Sequence, residues 1–279
     1  MRLKLIAGLI VGGMLLSQLI LMDDSFRVGD LSERRFIITH RGDMKSYPEQ
    51  TMEAYEFALS KGIRIMECDA RRTMDGMFVA IHDDSWDRTT NGSGSVSSTS
   101  WYGYGEHLDA GSWFRANESD ARVPTMERLM DWAHDKGVFL WIDCYFSMAY
   151  DSEFQSLIED TDMKDSLTVQ FVVETGQYVR ASSYEGYSRA LRVAVPLTQT
   201  IYDALGYCEK NDIGFLTIPW EMGEEEIYTR AYDSDIRVLL FSYNTYRADD
   251  TYMAEYQKGA WGCFTDDAIQ AGRIQGMIA

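Results

Sequence analysis

The chain has 279 residues, 46% of them hydrophobic, which suits one large α/β domain or two small ones and argues against disorder. Its formal net charge of −18 would repel nucleic-acid phosphates, and no local basic patch offsets it, so nucleic acid is not an expected partner. An anionic substrate would need a bound metal ion or a local arginine to overcome that field.

The first predicted element is MRLKLIAGLIVGGMLLSQLILMDDS. Arg2 and Lys4 form a positive start, the run from Leu5 to Met22 is apolar except for Ser17 and Gln18, and Asp23 and Asp24 end it. It has roughly the 20 residues a membrane span needs, it is apolar on all faces, and no small-x-small cleavage site follows it. Residues 1–24 therefore read as an N-terminal hydrophobic helix serving as an uncleaved signal anchor. The two basic residues would hold the N-terminus inside, leaving 25–279 as a single extracytoplasmic domain. A cleaved signal and a secreted domain are the alternative.

Strand-like runs follow at Phe36–Thr39, Ile63–Asp69, Met77–His82, Val138–Asp143, Leu167–Val172, Leu191–Val195, Ile213–Ile218, Val238–Tyr243 and Ala260–Thr265. Helical stretches separate most of them, among them Met52–Ser60, Met126–Lys136, Ile201–Asn211 and Glu224–Tyr232. This alternation predicts a parallel α/β fold with a count near that of a TIM (β/α)8 barrel. A doubly wound sheet is disfavoured because no glycine-rich phosphate loop follows the first strand.

Two places break the alternation. Asp75-Gly76 reads as a two-residue hairpin turn, pairing Met74 with Met77 and, counting back, Asp69 with His82. Residues 84–123 hold NGSGSVSS and then Trp101, Tyr102, Tyr104, Trp113 and Phe114, a loop-rich composition whose rings must bury against something. They read as an inserted cap beside the barrel mouth, or alternatively as rings sealing one barrel end. Cys68, Cys144, Cys208 and Cys263 lie far apart and read as small buried hydrophobes, with a disulfide as the lesser alternative in an oxidising compartment.

Candidate chemistry gathers at strand ends, where barrel enzymes keep it. His40 and His82 end two strands, and near-neutral imidazoles suit a reaction in which one proton is taken and another given. His107 and His134 read as surface or packing residues. Glu67 and Asp69 share one strand face, where a bound cation would relieve their repulsion, and Asp143 supplies a third oxygen. An all-oxygen set suits Mg2+ or Ca2+ rather than zinc. Glu49 reads equally as a further acidic group near the metal or as a capping residue. Arg41 offers a planar fork of donors for a phosphate oxygen. Two proton-transfer groups, an anion-binding arginine and three acids for a hard cation fit phosphodiester cleavage.

In series, THRG at 39–42, PEQT at 48–51, MECDARRTMDG at 66–76, IHDDSWDRTTNGSG at 81–94, LDAGSWF at 108–114, VPTMERLMDWA at 123–133 and FTDDA at 264–268 resemble the glycerophosphodiester phosphodiesterases. The resemblance implies a TIM barrel of the PLC-like phosphodiesterase type, a divalent cation as cofactor, and hydrolysis of a small-molecule or lipid-derived glycerophosphodiester to glycerol phosphate and an alcohol. It implies His40 and His82 as general acid and base, Arg41 as phosphate ligand, and Glu67 and Asp69 as metal ligands. In such enzymes the substrate's own glycerol hydroxyl attacks phosphorus, and water then opens the cyclic phosphate.

The departures fall at the mouth. Asp143-Cys144-Tyr145 stands where the family has Glu-x-Lys, which removes a lysine charge that Lys45 is a candidate to replace. Gln50 replaces an asparagine, and Phe241-Ser242-Tyr243-Asn244 replaces Trp-Thr-Val-Asn. Two alternatives to hydrolysis follow from these changes: a non-catalytic barrel binding a lipid headgroup or glycerophosphate polymer, or a phosphotransferase acting on a surface glycan.

Overall fold

The structure, a computed structural model, describes residues 35–114, 120–173, 178–194, 196–242 and 247–278. The expected anchor at 1–24, part of the insertion (115–119), Val195, Tyr243 and Asn244 lie outside the described residues. Among the described residues no helix is long and apolar enough to cross a membrane.

Eight parallel strands close on themselves. They are β1 (Phe36–Thr39), β2 (Ile65–Arg72), β4 (Phe139–Cys144), β5 (Leu167–Val173), β6 (Arg189–Val193), β7 (Phe215–Pro219), β8 (Arg237–Phe241) and β9 (Gly262–Thr265). The order runs β1-β9-β8-β7-β6-β5-β4-β2, and a β1–β2 pairing completes the ring. The exception is β3 (Phe78–Ala80), which pairs antiparallel with β2 outside the ring. Parallel neighbours need crossovers, and these are provided by α1 (Met52–Ser60), α2 (Met126–Lys136), α3 (Asp151–Asp160), α4 (Tyr178–Ser182), α5 (Thr198–Asn211), α6 (Glu225–Asp233), α7 (Asp249–Lys258), with α8 (Ala268–Ile278) last.

Local sequence explains the helix ends. The Thr51 hydroxyl accepts from Ala54 N and starts α1, and Thr125 does the same for α2 through Arg128 N. Gly137 ends α2 in the left-handed region at φ 63°, a conformation glycine adopts without a side-chain penalty.

Strand alternation divides the core in two. Phe36, Ile38, Ile65, Phe139, Trp141, Phe215 and Leu239 fill the barrel interior, while Ile37, Met66, Cys68, Leu140 and Ile142 face the helices. The same period carries Glu67, Asp69 and Asp143 to the inner face above that apolar floor, since each lies two or four residues beyond an inward-facing neighbour.

The hairpin is antiparallel as expected, but its register differs by one residue. Ala70 pairs with Ala80 and Arg72 with Phe78, and Asp69 O accepts from Ile81 N, so Asp69 sits opposite Ile81 and not His82. The cause is Thr73. Its hydroxyl donates to Asp75 and to Met77 O and accepts from Met77 N, closing a three-residue turn with Gly76 at φ 96°.

In the insertion, Trp86 and Trp101 are buried with Val96 and Leu108 against Val79 and Ile81, forming a small core separate from the barrel interior. These two rings therefore do not seal a barrel end. The four cysteines are buried and free, so no disulfide forms.

Candidate active site

At the C-terminal mouth, Asp69 of β2 pairs in register with Asp143 of β4, and Glu67 lies one pleat below. Glu67, Asp69 and Asp143 are at most 1% exposed, and each offers an oxygen within 4.8 Å of the others. Burial, then Asp69 and Asp143, pushes the Glu67 carboxyl well above its ordinary value. Burial likewise raises Asp143, against the pull of Arg192. Asp69 is pushed up by burial but pulled further down by Arg41, His82 and His40, so it stays below its ordinary value. Glu67 Oε1 and Asp69 Oδ1 have no hydrogen-bond partner. Buried carboxylate oxygens left without donors are costly unless a cation meets them. The residues present thus fit a hard divalent cation bound through oxygen.

Arg41 binds all three acidic groups around it. Its backbone N donates to Glu67 Oε2 at 2.9 Å, its Nε lies 3.0 Å from Asp69 Oδ2, and its Nη1 donates to Glu49 Oε1 at 2.9 Å. This grip requires an unusual backbone, with Arg41 at φ 55° and Gly42 at φ 81°. A Cβ at Gly42 would lie 2.8 Å from Ala54, so the loop packs too closely on α1 for a side chain.

Each mouth histidine is anchored by an aspartate. His40 Nδ1 lies 2.9 Å from Asp266 Oδ1, and His82 Nδ1 lies 2.8 Å from Asp83 Oδ1. A carboxylate partner fixes the proton on Nδ1 and leaves Nε2 for exchange with a substrate. Arg88 in turn holds Asp83 through Nε at 2.7 Å, keeping that carboxyl far below its ordinary value. His40, Arg41, His82, Arg192, Phe241 and Asp266 line one cavity of 260 Å³ beside the acidic trio. His107 and His134 are exposed and do not line it.

The remaining expected residues take different places. Glu49 is 4% exposed and bridges Arg41 and Arg88, at 2.9 and 2.8 Å. It neither caps α1, which Thr51 does, nor belongs to the metal-fitted trio. Burial raises the Glu49 carboxyl, but Arg88 and Arg41 outweigh it and hold it below its ordinary value. Lys45 Nζ is 2.5 Å from Asp267 Oδ2, and Lys45 does not line the cavity. Gln50 donates to Asp69 Oδ2 at 2.7 Å and accepts from the Tyr55 hydroxyl at 2.5 Å, tying the trio to α1.

Tyr145 marks what sequence reasoning missed. Its hydroxyl accepts from Arg192 Nη2 at 2.7 Å, while Arg192 Nη1 lies 2.6 Å from Asp143 Oδ2. Arg192 points inward from β6 and supplies a cation beside Tyr145 where the chain lacks a lysine. Gln170 of β5 completes the support, donating to Asp143 Oδ1 at 2.5 Å and accepting from Thr217 at 2.6 Å. Asp83, Asp266 and Arg88 were also unassigned. The adjacent His82-Asp83 pair and the FTDDA segment were the available signals, whereas nothing local to Arg192 or Gln170 marks them.

The molecule is thus a (β/α)8 barrel whose mouth joins an acidic trio, two histidine–aspartate pairs and inward-pointing arginines. Residues 40–258 match the Glycerophosphoryl diester phosphodiesterase family, and the chain belongs to that family. It is 40% identical over 101 residues to YhdW of Bacillus subtilis, covering 36% of this chain and 41% of that protein. It is 36% identical over 110 residues to the glycerophosphodiester phosphodiesterase of Caldanaerobacter subterraneus, covering 39% and 45% respectively. The matched stretches therefore span less than half of these relatives. Among solved structures, an Oleispira antarctica phosphodiesterase in complex with sn-glycerol-3-phosphate superposes with TM-score 0.73 over 88% of this chain and 98% of that one, at 23% identity. A glycerophosphodiester phosphodiesterase from Agrobacterium tumefaciens gives TM-score 0.73 at 19% identity, over 86% and 99%. These similarities establish the shared barrel.

Proposed function

We propose that the barrel hydrolyses a glycerophosphodiester to glycerol phosphate and an alcohol, with Ca2+ or Mg2+ held by Glu67, Asp69 and Asp143. The observation that carries this reading is the convergence of those three buried carboxylates, two of them with unpartnered oxygens, beside Arg41 and both histidines. When bound, the cation would neutralise charge on the phosphoryl oxygens and lower the pKa of a coordinated hydroxyl. Arg41 presents positive charge to the same phosphoryl group, while its bonds to Glu49 and Asp69 keep it in place. One histidine takes the proton of the attacking glycerol hydroxyl, and the other gives a proton to the departing alcohol oxygen as its bond to phosphorus breaks; with the roles reversed, water then adds to phosphorus and opens the cyclic phosphate to glycerol phosphate. Asp266 and Asp83 hold the two rings and stabilise each imidazolium when it forms.

Membership of the family and a complex of sn-glycerol-3-phosphate with a structural relative support the substrate class. The alternative of a barrel that binds without turnover rests on the missing lysine, and Arg192 beside Tyr145 supports the hydrolase reading over it. The test is release of glycerol phosphate from glycerophosphocholine and related diesters, with EDTA, Mg2+ and Ca2+ compared. Cation-dependent release that disappears in His40→Ala and His82→Ala is expected; full activity in either variant would refute the assignment. Residues 1–24 as a membrane anchor form a separate proposal, checked by whether an alkaline carbonate wash releases the protein from membranes.

A further inference from the structure

A second cavity of 280 Å³ opens at the mouth on the far side of Tyr145. Its walls include Arg71 and Arg72 at the end of β2, Asp84 and Ser97 from the insertion, and Tyr145 and Tyr150 following β4. Tyr145 connects the two linings: its hydroxyl accepts from Arg192, which lines the first cavity, and it lines the second itself, with Arg71 over its ring at 5.0 Å. His82 stands at the same junction. It lines the first cavity, its ring lies edge-on to Tyr145 at 5.7 Å, and its carbonyl accepts from Arg71 Nε at 2.7 Å.

The two arginines differ in how they are satisfied. Arg72 is paired with Glu153 at 2.9 Å. Arg71 donates only to carbonyls, of His82 and Tyr145, and makes no ion pair among the described residues. Asp69, Asp84 and Asp83 lie in the field of Arg71 but none is ion-paired with it, so its guanidinium keeps donor capacity for an anion entering the cavity. Asp84 lines the same space with the opposite charge. The aromatic faces that would attract a quaternary ammonium are already taken, Tyr145 by Arg71 and Tyr150 by Arg72 at 3.8 Å.

Resting on the hydrolase reading above, we infer that this second cavity takes the alcohol half of the diester and selects a zwitterionic alcohol of the serine type, carboxylate on Arg71 and ammonium toward Asp84. In-line displacement at phosphorus puts the attacking and leaving oxygens on opposite sides. The glycerol half then occupies the first cavity and the leaving alcohol the second. His82, at the junction, gives its proton to the alcohol oxygen as the phosphorus–oxygen bond breaks, while His40 takes the proton of the attacking hydroxyl.

The test compares kcat/KM of the full chain for glycerophosphoserine, glycerophosphoethanolamine and glycerophosphocholine, together with Arg71→Gln, Asp84→Asn and Arg72→Gln. A charge-assisted bond from Arg71 to the carboxylate should favour serine over ethanolamine about tenfold or more. Arg71→Gln should collapse that ratio toward one, even if loss of its bond to His82 slows all three diesters together. Asp84→Asn should lower serine and ethanolamine alike, and Arg72→Gln should leave the ratio standing. Equal use of the three diesters, a preference for choline, or an undiminished ratio in Arg71→Gln would overturn the inference. Calorimetric affinities of the same diesters for His40→Ala with Ca2+ separate the two readings. Tighter serine binding without wild-type turnover keeps the subsite and removes the hydrolase, whereas turnover without discrimination does the reverse.

Discussion

Replacing Arg192 by Met should weaken the fold and the reaction while strengthening cation binding. Arg192 Nη1 is 2.6 Å from Asp143 Oδ2, the aspartate is fully buried, and the arginine side chain is 15% exposed. Unit charges about 4 Å apart interact by about 4 kcal/mol at an effective dielectric of about 20. Removing one partner of a buried pair costs about 3–5 kcal/mol, so the two routes agree. Without metal, the variant should melt roughly 6–20 °C lower. With saturating Mg2+ or Ca2+ the deficit should narrow, because the cation then compensates Asp143. The cation should also bind at least as tightly as in the wild type, since a positive neighbour has gone. Turnover should nevertheless fall, because Tyr145 loses its partner and the cavity loses a positive wall. The assays are thermal unfolding with EDTA and with metal, calorimetric metal titration, and kcat/KM. A metal-free loss below about 1 kcal/mol, or metal affinity and turnover falling together, would refute the electrostatic role given to Arg192.

Wild-type protein should itself be stabilised by the cation, by about 2.7 kcal/mol at a hundredfold excess over Kd, roughly 5–11 °C in Tm; an unchanged melting curve would count against the acidic trio as a metal site. Glu49→Gln should destabilise at neutral pH, because Arg88 and Arg41 hold the Glu49 carboxyl below its ordinary value. A depressed carboxyl contributes stability above the unfolded-state pKa of about 4.3 and loses it as pH falls through the lower folded value, so urea midpoints of wild type and variant should converge in acid. Gly42→Ala should cost about 1–3 kcal/mol, because the new Cβ meets Ala54 at 2.8 Å and φ is 81°, and it should reduce turnover by displacing Arg41.

The barrel was legible because its sequence signals are local. Each strand is a short apolar run bounded by a polar end, and Thr51, Thr125 and Gly137 sit where helix ends require them. The hairpin direction was equally plain from Asp75-Gly76. Its register was not, because a threonine side chain replaced a backbone contact: Thr73 closes the turn over three residues by bonding both Asp75 and Met77. Pattern rules for two-residue turns count backbone positions and do not see such a bond. Glu49 shows the same limit, since its two arginine partners lie 8 and 39 positions away.

The central site divides along that line. Glu67 and Asp69 were readable together because a strand's period of two sets their shared face. Asp143 joined them because it ends a strand. Arg192 has neither signal, being one more arginine in an alternating strand, 47 positions from Tyr145. Only pairing of the strands, with β5 alone between β4 and β6, brings Arg192 beside Asp143 and Tyr145 at the mouth. Read along the chain, Tyr145 in place of lysine looks like the loss of a charge. Read around the ring, the charge enters from another strand and meets Asp143 and Tyr145 at once. A closed barrel permits this because every strand end borders the same small volume, so the charge at the mouth is set by all the strands together and not by one motif. The pairing also changes geometry. A guanidinium divided between a carboxylate and a phenol is fixed in orientation, whereas a lysine ammonium would turn on a flexible stem. Tyr145 is thereby held in place, its hydroxyl on Arg192 and its ring under Arg71.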